Sequence, residues 1–540
     1  MPAETAAAEA PAKSVTEQLD AIFAPWNRTD EPGLVVGVVK DGALVYRRGF
    51  GMASLETGAA NTPKTRMRIG STSKHFTCLL ALLLAEEGKL DLDAPIRTYL
   101  PELAGPGGEP TLRQLVQHRG GSRCYLDLGF IGHGMGVPPQ GAALEAQARQ
   151  SGRNFAPGTA MIYNNGGYHL VSIAIERIGG APFEEQLKTR LFDVVGMPDT
   201  ASIPSDHDIT PGIATMHVPG RNGWRRGLFP SDEVRGEGAI VSTVDDMLRW
   251  MAHLRARDRF GSPETWAALT ELPRYADGSL GVYALGLMVD RYRGLRIIHH
   301  AGGVMGGSSQ MLTLPDDGVD VIVIANGGRD ANPVRLAEQV VDIVLADRVG
   351  PETPTIPAEE FKPMLGDWWS PQTGMIYSLL DEAGVLKLGI AKSAMGSPLV
   401  RADDGRLVSP AGGMGEIALE PAGDRLKIRF GGETADYRRL VEDPADAAAF
   451  AAAAAGRYES ADAGATATIE PQDDRLALHI ADGHGAARAS LVVLAPTLAH
   501  AKPRSPTGFH STVSLLVEDG APVGFRLDSP RTRNLEFRRV

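Results

Sequence analysis

The chain predicts an α+β domain over residues 14–348, followed by two related, small all-β barrels. Three observations carry that prediction. Strand-like runs stand at both ends of the first 348 residues, with helical patterns between them. The stretch Gly350-Pro351-Glu352-Thr353-Pro354-Thr355-Ile356-Pro357 then reads as a linker, after which short strands and Gly/Asp turns replace helices. Finally, the second part repeats itself. Leu365-Gly366-Asp367-Trp368-Trp369-Ser370 is echoed by Ala455-Gly456-Arg457-Tyr458-Glu459-Ser460, and Tyr437-Arg438-Arg439-Leu440 by Phe537-Arg538-Arg539-Val540.

Taken in order, residues 1–13 are Ala/Glu/Pro-rich and read as a disordered tail, without the basic start and apolar core of a secretory signal. The β-branched run 34–39 turns at Lys40-Asp41-Gly42 and returns through Leu44-Val45-Tyr46, a hairpin pattern. A helix over 74–87 is closed by Gly88. A short helix fits 111–118 and a longer one 166–178, and Ser242-Thr243-Val244-Asp245-Asp246 opens another with good capping residues. Strands fit 283–289, 295–299, 309–314 and 319–326, and a helix over 334–345 closes the domain. These strands imply an antiparallel sheet built from both chain ends, with the helical region inserted. The linker is 349–360, the first barrel 361–441, the Ala-rich connector 442–455 and the second barrel 456–540.

Composition narrows the function classes. A hydrophobic content of 43% and charged content of 22% are those of an ordinary globular protein. The net charge of −12 argues against wrapping nucleic acid or lying on an anionic membrane. No run approaches the roughly 18 apolar residues a membrane span needs, and the cytoplasm is the default compartment. Two cysteines, Cys78 and Cys124, exclude a disulfide framework, and Cys78 reads as a buried small hydrophobe. No HExxH or clustered His/Cys/Asp set appears, so neither a metal nor another cofactor is expected.

Three ordered triplets carry the chemistry: Ser71-Thr72-Ser73-Lys74, Tyr163-Asn164-Asn165 and His300-Ala301-Gly302. A serine hydroxyl is a poor nucleophile until a base takes its proton. Ser71 and Lys74 stand at i and i+3, one helical turn apart, where the helix dipole disfavours an ammonium and suits a lysine base. Taken alone, Lys74 reads more readily as a solvated first-turn residue, since tetrapeptides of this form are common by chance. Tyr163 can relay a proton between serine and leaving group, and the Asn165 amide can bond both substrate and Lys74. By itself that triplet is an ordinary surface turn. Gly302 and Gly303 would let a substrate approach an edge strand, with the Gly303 and Ser71 N–H groups forming an oxyanion hole. His300 has a bland reading as a structural strand-end residue, and His299 points to the opposite face. Residues 236–240 read as scaffold.

The set, with its flanking text, resembles the penicillin-recognising serine hydrolases of the class C β-lactamase-like branch. Val38-Val39-Lys40-Asp41-Gly42, Leu90-Asp91-Leu92-Asp93-Ala94-Pro95, Tyr99-Leu100-Pro101, Thr111-Leu112-Arg113 and Phe155-Ala156-Pro157-Gly158 extend the resemblance over about residues 30–348. It implies a β-lactamase-like fold, acylation of Ser71, proton transfer shared by Lys74 and Tyr163, and substrate orientation by Asn165. That family commonly has Lys-Thr-Gly as its third triplet. His300-Ala301 offers a pH-dependent charge and no hydroxyl, so recognition of a substrate carboxylate by this triplet should be poor.

The layout of a His-x-Gly domain followed by two β-domains further resembles the three-domain D-aminopeptidases, which implies release of N-terminal D-residues such as D-Ala from small peptides, amides or esters. The resemblance also implies a homodimer, and a loop of the last barrel, here Lys502 to Gly508, at the mouth of the site. That loop is basic and suits an ammonium substrate poorly. Rival readings are a broad-range esterase or amidase, a β-lactamase, and a catalytically inactive peptide-binding relative.

Overall fold

Asp41 and Gly42 both take positive φ, 50° and 78°, which lets a two-residue turn join strands Leu34–Lys40 and Ala43–Phe50. The computed structural model describes residues 13–328, 330–390, 392, 396–409, 415–441, 443–472, 475–504 and 510–540, so the tail over 1–13 lies almost wholly outside the described residues.

The hairpin joins Met288–Tyr292, Leu295–Val304, Gly307–Leu314 and Val319–Ala325 in one six-stranded antiparallel sheet. Leu34–Lys40 pairs with Val319–Ala325 from Leu34↔Ala325 to Lys40↔Val319, so the two ends of the domain close on each other as expected. Its central strands are almost continuous Val and Ile because both faces are covered. Val36, Val38, Val321 and Val323 face the helices Val15–Phe23 and Pro333–Val344. Val35, Ile322 and Ile324 face the inserted helices, among them Lys74–Glu86 and Val244–Ala256.

Two strand expectations shift. Residues 283–287 are not a strand; Tyr283 makes only an isolated bridge to Met288, and its ring is buried instead. The strand starting at Leu295 continues to Val304, because its far half pairs fully with Gly307–Leu314. His300 is therefore inside the strand.

Both β-domains follow, and the repeats mark one seam in each. Gly366–Trp369 meets Glu433–Arg439 through Trp368↔Arg439 and Trp369↔Arg438. Gly456–Ser460 meets Leu535–Arg539 through Tyr458↔Arg539 and Glu459↔Arg538. The second domain is a closed eight-stranded barrel. In the first, Ser397–Pro398 and Val400–Arg401 stand at opposite ends of the strand order although only Leu399 separates them, so one kinked segment rounds the sheet into a barrel. Residues 355–357 of the linker pair with that barrel, and the Ala-rich connector is a helix, Pro444–Ala454, that buries Phe450 and Ala454 in the second barrel. Among the described residues no helix is long and apolar enough to cross a membrane.

Candidate active site

A 3-10 turn, Gly70–Ser73, leads directly into the helix Lys74–Glu86. Gly70 has φ +52°, and a Cβ there would lie 2.8 Å from the Gly303 nitrogen, so only glycine lets the turn lie against the strand. Thr72 fastens it: its Oγ1 donates to the His300 carbonyl (3.1 Å) and lies 3.0 Å from Ser309 Oγ, which itself donates to the Ile69 carbonyl at 2.7 Å. Ser71 is thereby held at the lip of a cleft, with Lys74 one turn further into the protein.

Lys74 Nζ lies 3.0 Å from Ser71 Oγ, 2.8 Å from Asn165 Oδ1 and 2.6 Å from the Glu237 carbonyl oxygen. The side chain is 0% exposed. Burial pushes its ammonium down to about 7, with the Glu237 charge opposing and the Arg531 charge assisting. Desolvation is the dominant cause of the shift. A neutral amine has two N–H donors and one lone pair. Asn165 Oδ1 and the Glu237 carbonyl can only accept, so they take both donors and leave the lone pair for the Ser71 hydroxyl.

Tyr163 stands just before the helix Asn165–Gly179, which Asn164 caps by accepting from the Gly167 N–H. Its hydroxyl is hydrogen-bonded with Ser71; burial raises the phenol above its ordinary value and that bond opposes the shift. The ring packs tilted against His118, with centroids 4.1 Å apart, and its centroid lies 4.9 Å from Lys74 Nζ. The structure brings Ser71, Lys74, Tyr163 and Asn165 together.

His300 differs from its expectation. Its Nδ1 lies 2.5 Å from the Ala301 carbonyl, which only accepts, so Nδ1 carries the proton and Nε2 accepts from the Tyr283 hydroxyl at 2.8 Å. The side chain is 2% exposed, and burial, aided by the Lys74 charge, holds its pKa well below the ordinary value. It is neutral and presents no pH-dependent charge to the cleft. Gly302 is buried, and a Cβ there would sit 1.9 Å from the Ile69 carbonyl oxygen. Gly303 is exposed, opens onto the cleft and has no heavy atom near its Cβ position.

The cleft beside Ser71 is lined by Leu126, Phe229 and Val234 as well as Asn165 and Gly303. Asp206 and Arg68 pair on its wall, and Asp206 Oδ2 also accepts from the Phe229 N–H at 2.8 Å. Residues 236–240, read as scaffold, supply the Glu237 carbonyl that holds Lys74. The Glu237 carboxyl is raised by burial, but His169 and the Tyr125 hydroxyl hold it below the usual carboxylate range. Sequence reading also missed Arg531, whose guanidinium lies 5.0 Å from the Tyr163 ring centroid. No local signal marks it, because the contact joins two domains.

Of the expected loop, residues 502–504 are bound to their own barrel, where the Arg504 N–H donates to the Arg488 carbonyl and its guanidinium to Gln472; residues 505–508 lie outside the described residues. Among the described residues no group of His, Cys, Asp or Glu is arranged to hold a metal ion.

An antiparallel sheet with a helical insertion, carrying Ser-x-x-Lys, Tyr-x-Asn and His-x-Gly around one cleft, defines the β-lactamase-like class. Residues 14–346 match the family described as Beta-lactamase, and the chain belongs to that family. The D-aminopeptidase of Brucella anthropi is 31% identical over 363 residues, and that of Brucella ovis 29% identical over 372, each match covering 65% of this chain and 66% of the relative. The chain thus spans slightly less than two thirds of these curated relatives. The octameric penicillin-binding protein homologue from Pyrococcus abyssi superposes with a TM-score of 0.57 at 22% identity, over 79% of this chain and all of that one. The D-amino acid amidase from Ochrobactrum anthropi gives 0.52 at 22% identity, over 62% and 99%. Both likenesses show the fold.

Proposed function

We propose that the protein is a serine hydrolase that works through an acyl-enzyme on Ser71 and releases N-terminal D-residues, of the D-Ala type, from small peptides, amides or esters. One observation carries the mechanism: a fully buried Lys74 whose Nζ lies 3.0 Å from Ser71 Oγ and is held on its other sides by Asn165 Oδ1 and the Glu237 carbonyl. Lys74 takes the Ser71 proton as Oγ attacks the acyl carbonyl. The N–H groups of Ser71 and Gly303 receive the oxyanion, and Asn165 holds the acyl side. Tyr163 delivers the proton to the leaving nitrogen as the C–N bond breaks. Water, deprotonated along the same route, then releases the acid. His300 has a positioning role, holding Tyr283 against the site.

The aminopeptidase specificity is supported by the named relatives. Release of p-nitroaniline from D-Ala-p-nitroanilide and L-Ala-p-nitroanilide, beside Ser71→Ala, tests it. Turnover of the D form alone, lost in the variant and accompanied by a mass shift on Ser71, is the expected result. Equal turnover of both forms would favour the broad-range amidase or esterase. No acylation of Ser71 by amides or activated esters would overturn the mechanism. A cytoplasmic homodimer is the working form we propose on the family resemblance, and sedimentation of the purified protein checks the dimer.

A further inference from the structure

His300 is buried and neutral and Ala301 is apolar, so the third triplet gives the cleft no positive charge. A cation arrives instead from the far end of the chain. The hairpin loop between Ala521–Asp528 and Leu535–Arg539 of the second barrel leans onto the first domain. It is braced internally. The Ser529 N–H donates to the Thr532 carbonyl (2.6 Å), Ser529 Oγ accepts from the Thr532 N–H (3.0 Å), and Asp528 Oδ1 accepts from the Asn534 N–H (2.7 Å). The first domain grips it through Asn154, whose Nδ2 donates to the Arg531 carbonyl (3.0 Å) and whose Oδ1 accepts from the Arg533 N–H (2.8 Å). Buried Arg123 adds a bond to the Arg533 carbonyl at 2.9 Å. The outcome is a half-buried Arg531 guanidinium 5.0 Å from the Tyr163 ring centroid, with its charge felt by Lys74, Tyr163 and His118.

We infer that Arg531 is a specificity-determining residue that binds a carboxylate on the leaving-group side, so the favoured substrates are dipeptides whose second residue carries a free α-carboxylate. The inference rests on the acyl transfer proposed at Ser71. In that reaction the leaving nitrogen departs beside the Tyr163 hydroxyl. One Cα separates this nitrogen from the carboxylate carbon of a dipeptide, a span of about 2.5 Å from standard bond lengths. The carboxylate therefore falls next to the phenol that Arg531 covers. A planar guanidinium there matches a carboxylate with two parallel N–H···O bonds. The bracing of the 529–534 loop from both sides fixes the Arg531 backbone before substrate arrives, which lowers the ordering cost of binding. A cation lost from the third triplet is thus replaced by one from another domain, set against the Tyr163 ring.

The test uses the full-length enzyme, Arg531→Met and Arg531→Lys. The readout is the ratio of kcat/KM for D-Ala-Gly to that for D-alaninamide, in which general effects of Arg531 on Lys74 cancel. The ratio should fall about ten- to a hundredfold in Arg531→Met, the size expected for losing a charge-assisted pair, and recover partly in Arg531→Lys. A common fall of both activities with an unchanged ratio would show Arg531 to be a brace only and overturn the inference. Calorimetric titration with glycine, the leaving product of D-Ala-Gly, separates this from the functional reading. Glycine binding to the unmodified protein that weakens at least tenfold in Arg531→Met supports the site even if neither D-Ala substrate turns over, which would count against the aminopeptidase reading alone. Glycine binding that is absent, or equal in both proteins, overturns the site.

Discussion

Adding one methyl group at Gly302 should disable the protein although nothing catalytic is removed. The Cβ of Gly302→Ala would lie 1.9 Å from the Ile69 carbonyl oxygen and 2.5 Å from Ser309 Oγ. Neither atom is free to yield, because Ile69 is held by its N–H bond to the Ile240 carbonyl at 3.0 Å and by the Ser309 hydroxyl at 2.7 Å. Real Cβ contacts stay beyond 3.0 Å, so the Ser71 turn must retreat by about 1.1 Å. Overpacking of this kind costs roughly 1–3 kcal/mol. A displacement near 1 Å at a nucleophile costs on the order of 10²-fold in rate. The sign opposes intrinsic preference, since Gly→Ala in a strand interior is otherwise favourable by about 0.5–1 kcal/mol. Urea unfolding and p-nitrophenol release from p-nitrophenyl acetate measure the two effects. Gly303→Ala is the control: no heavy atom lies within 4 Å of its Cβ position, so its stability should stay within about 0.5 kcal/mol of the parent. Parent-like stability and rate in Gly302→Ala would refute the reasoning.

Three other outcomes follow from the same geometry. In the proposed mechanism the neutral amine of Lys74 is the base, and burial brings its pKa to about 7, so kcat/KM should rise with pH through about 7 and then level off; a rising limb near 10 would show that Lys74 is not desolvated in solution. Tyr283→Phe removes the donor to His300 Nε2 and leaves a buried acceptor unpaired, so it should cost about 1–3 kcal/mol in chemical unfolding. Arg123→Met removes the cation that pairs across the domains with the partly buried Asp462 of the second barrel, which keeps only the neutral donors of Ser151 and Gly152. It should destabilise by about 3–5 kcal/mol, read as earlier urea unfolding, and an unchanged midpoint would remove the ion pair from the interface argument.

Much of this was legible because it is local. Asp41-Gly42 can only be a tight turn, the 34–39 and 319–326 runs can only be buried strands, and Ser71 and Lys74 share a helix face by spacing alone. The barrels were legible as a repeat because their first and last strands meet at the same seam, which preserves Gly366 and Gly456 and the paired arginines. Tyr283 was misread because an apolar run has the same pattern whether it pairs in a sheet or packs a ring into a site. His300 was read as a charge because a sequence does not show burial, and burial is the largest cause that holds this imidazole neutral.

By itself the sequence determined the order of elements, the repeat, and which side chains could act as nucleophile, base and relay, since these follow from residue type and short-range spacing. Tertiary structure decided what those groups are chemically. Lys74 has a lowered pKa, as the proposed base needs, because Glu237, 163 residues away, and Asn165 close around it and bury it. Tyr163 faces a cation because a loop of the last barrel sets Arg531 against it. Desolvation and cross-domain charge are properties of position in space, and the chain acquires them only when distant segments pack together.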